Sequence, residues 1–452
     1  MQRSRGWQRD LREMAQVAAP IVLINVGIQA MGVVDAIMVG KLGGAAIAAV
    51  ALGNFYFFNV SVFGIGLLFA IDPVVAQAFG AGDYTAAARG VQRGLLLAVA
   101  VTVVVTLALM PGEWVLGVLQ QPPDVVSETA VYTRRRALGA LPFFIFAVFR
   151  QTLQAMGPVR PVIIAALVAN VVNAAANWLL IFGNLGFPQL GVAGSGYATA
   201  ISTWLMMLLV LPLAWPLLRD MLRPWHPESH RWGPLWRMMR IGIPIGIQWF
   251  FESFAFGLTA LFMGWMGTAS LAGHEIALNM AAMTFMVPLG ISGAASAVVG
   301  RAIGRGDMPS ARRDAAAAIV CGVGFMCISA VIFMAFPHQL ATLYTHEVAT
   351  VTVAVALIPL AGWFQVFDGL QAVTSGVLRG TGDTRVPAVL HMIAFWGIGI
   401  PLGAWLGFRT PLRERGLWIG LVAGLAAAAV LQSLRVIWRM RGELRRVVID
   451  HH

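Results

Sequence analysis

The sequence predicts an all-α polytopic membrane protein whose twelve transmembrane helices form two six-helix lobes. Three observations predict it. Apolar runs of about 20 residues, long enough to cross a bilayer, recur from end to end. Charged residues make up 11% of 452 residues against 59% hydrophobic, too few to cover a soluble surface. Landmarks in the first half also return in the second at an almost constant spacing.

The chain opens with four Arg within residues 1–12. The apolar stretch that follows carries Asn25, Gln29 and Asp35 and no small-residue cleavage site, so a cleaved leader is not expected. Twelve spans are expected near 15–38, 47–71, 91–115, 133–156, 161–182, 191–218, 238–265, 272–299, 315–338, 352–378, 386–408 and 416–439. Gly, Pro and Asp mark most connections, as at Gly80–Asp83, Gly157–Pro161 and Gly304–Pro309. The longest connection, 219–237, separates a lobe at 15–218 from a lobe at 238–439, leaving an N-terminal segment 1–14 and a tail 440–452.

Basic residues set the orientation. Of the 31 Lys and Arg, 24 fall on the side that holds both termini and 7 on the other, so both termini are expected in the cytoplasm. The minority are Lys41, Arg134–Arg136, Arg409, Arg413 and Arg415. The net charge of +11 thus lies in loop clusters, which is topology rather than nucleic-acid binding. Cys321 and Cys327 share one apolar run and read as neither a disulfide framework nor a metal pair.

Pro20, Gly40, Gly43, Gly80-Ala-Gly-Asp83 and Arg89 match Pro244, Gly264, Gly267, Gly304-Arg-Gly-Asp307 and Arg313 at an offset of 224. Gly157, Arg160 and Gly191 match Gly382, Arg385 and Gly416 at 225. Six spans per repeat is even, so both halves enter the membrane in the same sense. A pseudo-two-fold axis along the membrane normal follows.

Asp35, Glu252 and Asp368 lie inside predicted spans. A charge at the bilayer centre costs about 2.5–3.5 kcal/mol on insertion scales, so each needs a bundle interior, a wet cavity or a proton. Arg379 lies about 16 Å along the helix from Asp368, too far to pair with it. Gln365, Asp368, Gln371 and Ser375 share one helical face, Gln248 precedes Glu252 by one turn, and Asn170, Asn173 and Asn177 line another face. Hydrogen bonding between helices would by itself account for such amides. The acids break the repeat, Asp35 matching Thr259, Glu252 matching Ile28 and Asp368 matching Phe143. Scaffold is duplicated; ionisable chemistry is not.

No G-x-x-x-x-G-K-[ST] loop occurs, His274-Glu275 is followed by Leu278 rather than the second His of H-E-x-x-H, and no aspartate-rich prenyltransferase box is present. Neither an enzyme nor a cofactor is expected, and a carrier driven by an ion gradient remains.

Val34-Asp35-Ala-Ile-Met-Val-Gly40, Phe250-Phe-Glu252, Gly273-His-Glu-Ile-Ala-Leu-Asn279 and Phe367-Asp368-Gly-Leu-Gln371 through Gly376-Val-Leu-Arg-Gly-Thr-Gly-Asp383-Thr resemble the multidrug and toxic compound extrusion (MATE) family. An acid in both the seventh and tenth spans resembles its NorM-like branch. The resemblance implies a monomeric inner-membrane antiporter that exports cationic amphiphilic molecules as H+ or Na+ enters. It further implies that Glu252 and Asp368 bind the cation or carry the proton, Na+ being held there if Na+ is the ion. Asp35 would be the N-terminal-lobe acid, with Asn173 and Asn177 beside it. Gln248, Asn279 and Gln371 would be cavity residues or polar neighbours. Glu275 stands where the family usually has Gln. Phe364 stands where Na+-using relatives often have Tyr, and its missing hydroxyl tilts the expectation toward H+. The alternative is a lipid-linked oligosaccharide flippase built on a related helical bundle, which would favour basic side chains in its cavity.

Overall fold

The computed structural model describes residues 2–118 and 123–450; His451 and His452, at the end of the expected tail, lie outside them. Among the described residues the regular structure is entirely helical. The first half comprises α1 (Gln2–Gly40), α2 (Gly44–Leu68), α3 (Ile71–Gly80), α4 (Tyr84–Leu109), α5 (Gly112–Val118), α6 (Pro123–Ala137), α7 (Ala140–Met156), α8 (Arg160–Phe182), α9 (Val192–Leu213) and α10 (Trp215–Leu222). The second half comprises α11 (Trp232–Met266), α12 (Thr268–Gly304), α13 (Met308–Ala335), α14 (Pro337–Thr342), α15 (Val348–Gly380), α16 (Arg385–Met392), α17 (Ile400–Arg409) and α18 (Glu414–Arg441). Short 3-10 turns lie at Asn184–Gly186 and Pro227–His230, and a π-helical stretch, Ile393–Gly399, joins α16 to α17.

Among the described residues, eleven helices are long and apolar enough to cross a membrane, and a bent pair, Val125–Ala137 with Ala140–Met156, makes the twelfth if it counts as one span. That pair corrects the expectation of a continuous fourth span at 133–156. The two pieces meet at 52°. Pro142, in the first turn of α7, has no N–H to continue the ladder from α6. The chain tightens instead, the amide of Gly139 donating to the Arg136 carbonyl at 2.9 Å. The expected sixth span also stops short, at Leu213, with α10 leaving it after Pro216 occupies its first turn.

The duplicated motif folds twice into the same turn. Gly82 and Gly306 both take φ 73°, a left-handed conformation that glycine adopts without strain. Asp83 and Asp307 then cap α4 and α13, accepting from the amides of Ala86 at 3.0 Å and Ser310 at 3.1 Å.

The chain divides into two compact units. The N-terminal unit holds Leu23–Phe79, Asp83–Gly246 and the tail from Val448; the C-terminal unit holds the chain up to Val22, Gly80–Gly82 and Ile247–Val447. The divide falls within α1 and α11 rather than in the 219–237 connection.

In the N-terminal unit, α8 packs against α9 and α6 against α2 and α9. In the C-terminal unit, α15 is central, packed on α12, α13 and α18. Small residues permit this: a Cβ on Gly376 would strike the carbonyl oxygen of Ser292 on α12, and one on Gly380 would lie 2.7 Å from that of Ser296. Around α15 the core is apolar, with Phe364, Ala361, Leu357, Trp418, Leu421 and Phe395 buried together.

Candidate functional site

Two polar clusters sit in this apolar framework, one in each unit. In the C-terminal unit, α11 supplies Glu252, α15 supplies Asp368 and Gln371, and the end of α16 supplies His391. Asp368 is 6% exposed and His391 1%, while the Glu252 side chain keeps 19% of its surface. Glu252 and the polar face of α15 that carries Asp368 and Gln371 are brought together at His391. His391 stands between Glu252 and the polar face of α15. Its Nε2 lies 3.5 Å from Glu252 Oε2 and its Nδ1 3.2 Å from the Gln371 amide nitrogen.

The polar face continues to α18. The Gln371 amide donates to Ser375 Oγ at 3.3 Å, and Ser375 donates to Gln432 Oε1 at 2.8 Å. Gln365, on the same face, accepts from Thr284 on α12 at 2.6 Å and from Ser329 on α13 at 2.8 Å. Gln365, Gln371 and Ser375 thus tie that face to α12, α13, α16 and α18.

Other sequence-expected positions fall outside this group. Asn279 is exposed and accepts from the Tyr344 hydroxyl at 2.9 Å. Glu275 is exposed, whereas its neighbour His274 is buried and accepts from Trp418 Nε1 at 3.1 Å. Gln248 is buried at 5% exposure on α11. Phe364 packs edge-on against Phe256 and Trp418.

The second cluster, in the N-terminal unit, centres on Asp35, 2% exposed near the end of α1. Asn177 on α8 donates to one carboxylate oxygen at 2.6 Å and Thr199 on α9 to the other at 2.8 Å. Asn177 also donates to Asn173 at 3.2 Å. Asn170, one turn earlier, instead donates to the carbonyls of Gly27 and Ala166, both at 2.8 Å, and joins α8 to α1. Asn173 and Asn177, the two asparagines expected beside Asp35, thus lie in its cluster, and Asn170 of the same stripe serves packing.

Nearby, Tyr132 donates to Asn54 Oδ1 at 2.9 Å, and Arg136 donates to the same oxygen. The Arg136 guanidinium lies 4.1 Å from the Phe57 ring centre and acts electrostatically on Asp35. The basic triplet thus has three fates: Arg134 pairs with Glu113 at 2.7 Å, Arg135 lies over Tyr197, and Arg136 turns inward.

Sequence reasoning missed Thr199, Arg136 and His391 as site residues. One signal was available for His391. At the 225 offset its partner is Ala166, so it breaks the repeat as the acids do. Thr199 matches Gly424 at the same offset, but its hydroxyl draws no notice in an apolar helix, since such residues commonly bond within their own helix. Among the described residues no group of three or more His, Cys, Asp or Glu could hold a metal ion.

The MatE family matches residues 20–179 and 244–405. A probable multidrug resistance protein NorM of Mesorhizobium japonicum is 37% identical over 447 residues, covering 96% of this chain and 95% of that protein. The multidrug resistance protein NorM of Burkholderia vietnamiensis is 38% identical over 441 residues, covering 94% of each. The multidrug resistance protein MdtK of Edwardsiella ictaluri is 32% identical, covering 96% of each. Among solved structures, the eukaryotic MATE transporter AtDTX14 superposes with a TM-score of 0.88 over 96% of both chains at 23% identity, a likeness of fold.

Proposed function

We propose, because the chain belongs to the MatE family, that it is a secondary active antiporter. It exports bulky organic cations across a bacterial inner membrane in exchange for inward H+ or Na+. The observation that carries this reading is the C-terminal cluster: Glu252 on α11 lies 3.5 Å from His391, whose other ring nitrogen reaches Gln371, one turn from the buried Asp368 on α15. The names of its relatives, multidrug resistance proteins, support drugs as the exported molecules.

The chemistry is competition. Ionised Glu252 and Asp368 attract a lipophilic cation, and an H+ or Na+ taken up by the pair removes that attraction. In the outward-open state the ion loads and the drug leaves; in the inward-open state the ion leaves and the next drug binds. One charge moved through 100 mV supplies about 2.3 kcal/mol, enough with a pH or Na+ gradient to drive export uphill. Phe364, whose apolar ring offers no oxygen to a hard cation, favours H+. Asp35 and its asparagines serve as a second, N-terminal ion or substrate site. The protein acts as a monomer with both termini in the cytoplasm.

The first prediction concerns Asp368→Asn, assayed as dye uptake into everted vesicles driven separately by a pH gradient and by a Na+ gradient. The substitution should abolish ion-coupled dye movement under the gradient that drives the native protein. Unchanged drug-for-ion exchange would overturn the reading, and the gradient that works names the ion.

A further inference from the structure

We infer that His391 is a positioning residue for Glu252: its Nε2–H holds the ion-free carboxylate and gives it up when the coupling ion or the drug binds. This rests on the reading of Glu252 as an ion-exchanging group.

The hydrogen bonds assign the ring. Ser375 gives its hydroxyl proton to Gln432 Oε1 at 2.8 Å, so its oxygen must accept, and the Gln371 amide supplies the proton at 3.3 Å. With its NH2 group thus oriented, Gln371 has a second N–H for His391 Nδ1 at 3.2 Å. With the Gln371 and Gln432 amides oriented in this way, Nδ1 is the acceptor and the neutral ring carries its proton on Nε2. Gln432, Ser375 and Gln371, on two helices, together fix which nitrogen faces Glu252.

That nitrogen is buried and makes no hydrogen bond, yet stands 3.5 Å from Glu252 Oε2. A buried N–H without an acceptor is costly, and the carboxylate is the acceptor within reach. A shift of a few tenths of an ångström closes the contact, as an ionised carboxylate would favour. A bound cation would draw the same oxygen away from the Nε2–H. His391 needs no change of its own charge to do this.

Local structure holds the ring in place. The Phe395 ring stacks on it at 4.5 Å and 21°. The π-helical stretch Ile393–Gly399 begins two residues later, and such irregular turns recur where a helix must aim a side chain. Gly399 and Gly424 approach closely on that segment, a Cβ on Gly399 falling 3.1 Å from the Gly424 Cα, so α18 pins its far end.

The experiment compares His391→Phe, which keeps a stacking ring but no donor, with His391→Gln, which keeps an N–H, and with Glu252→Gln. Each is measured in vesicles for the half-saturating concentration of the driving ion and for maximal dye flux. Without the Nε2–H, the empty carboxylate loses a charge-assisted hydrogen bond and grips the incoming ion more tightly. His391→Phe should lower the half-saturating ion concentration about tenfold and slow maximal flux, as expected for a bond to a charged group. His391→Gln should restore most of the native value. Half-saturation unchanged in His391→Phe, or damage to flux equal in both His391 variants, would overturn the inference. Unaltered exchange in Glu252→Gln would instead overturn the antiport reading on which it rests.

Discussion

Asp35 and Asp368 are both buried acids, yet their surroundings differ in kind. Asp35 accepts from Asn177 and Thr199, one donor to each oxygen. Those neutral donors stabilise a carboxylate without neutralising it. Asp368 instead sits one turn from Gln371, on the face of α15 that meets His391 and, through it, Glu252. The two positions should therefore respond differently to loss of charge. Asp35→Asn turns one acceptor into a donor, which the Thr199 hydroxyl accommodates by rotating. Its melting temperature in detergent should stay near the native value while dye export falls. Thr199→Val, which keeps the shape and removes a donor from a buried acid, should cost about 1–3 kcal/mol in the same melting experiment. At this scale the sequence disclosed what was chemically rare. A carboxylate in an apolar run stands out from composition alone, so Asp35, Glu252 and Asp368 were legible. Thr199 was not, because a threonine fits an apolar helix whether it bonds its own backbone or a carboxylate one helix away. Asn170 shows the converse: it has the spacing of its neighbours and a packing role.

Between elements, the scaffold depends on close backbone approach and on end caps. α15 can lie against α12 because Gly376 has no Cβ to meet the Ser292 carbonyl. Gly376→Ala should part the helices and cost about 1–3 kcal/mol as overpacking, read as a lower melting temperature. The displacement should also weaken export, since Asp368 and Gln371 ride on the same helix. At the start of α13, the Ser310 hydrogen bonds hold the Asp307 carboxyl below the usual aspartate range, with the Arg305 and Arg313 charges adding to them. A lowered folded value contributes stability above the ordinary aspartate value of about 4 and loses it as pH falls through the folded one. The cap should therefore persist at every pH near neutrality and fray only in strong acid, measurable as faster amide exchange over 308–311 below about pH 4. Gly and Asp at matching offsets announced both capped turns in advance. The break at Leu138–Gly139 was hidden, because counting apolar residues runs straight across Pro142 and cannot see a 52° bend.

For the whole molecule, the duplicated sequence foretold twin helical arrays and could not foretell where the chain would divide into compact units. Tail packing is one reason. After α18 the residues from Val448 belong to the N-terminal unit. Asp450 accepts from Arg93, whose side chain is fully buried, at 2.5 Å, and lies 3.6 Å from Arg89. Arg93 also donates to the Glu228 carbonyl at 3.1 Å, and Arg237 donates to the Ile449 carbonyl at 2.8 Å. Beside Arg93, Gln92 donates to the carbonyls of Met221 and Pro224 and accepts from the His226 amide and the Ser229 hydroxyl. One turn of α4 therefore fastens both the 219–237 connection and the tail. Removing the Asp450 carboxylate strands a buried guanidinium, the expensive half of breaking such a pair. Asp450→Asn should lower stability by about 3 kcal/mol, and the loss should survive high salt, since buried pairs are weakly screened. The exposed Arg9–Glu13 pair provides the contrast: it is solvent-facing on both sides, and Glu13→Gln should change stability by less than about 1 kcal/mol. Melting temperatures of both variants at low and high salt check the pair together. An Asp450→Asn protein as stable as the native one would show that the tail is an appendage rather than part of the N-terminal unit's packing.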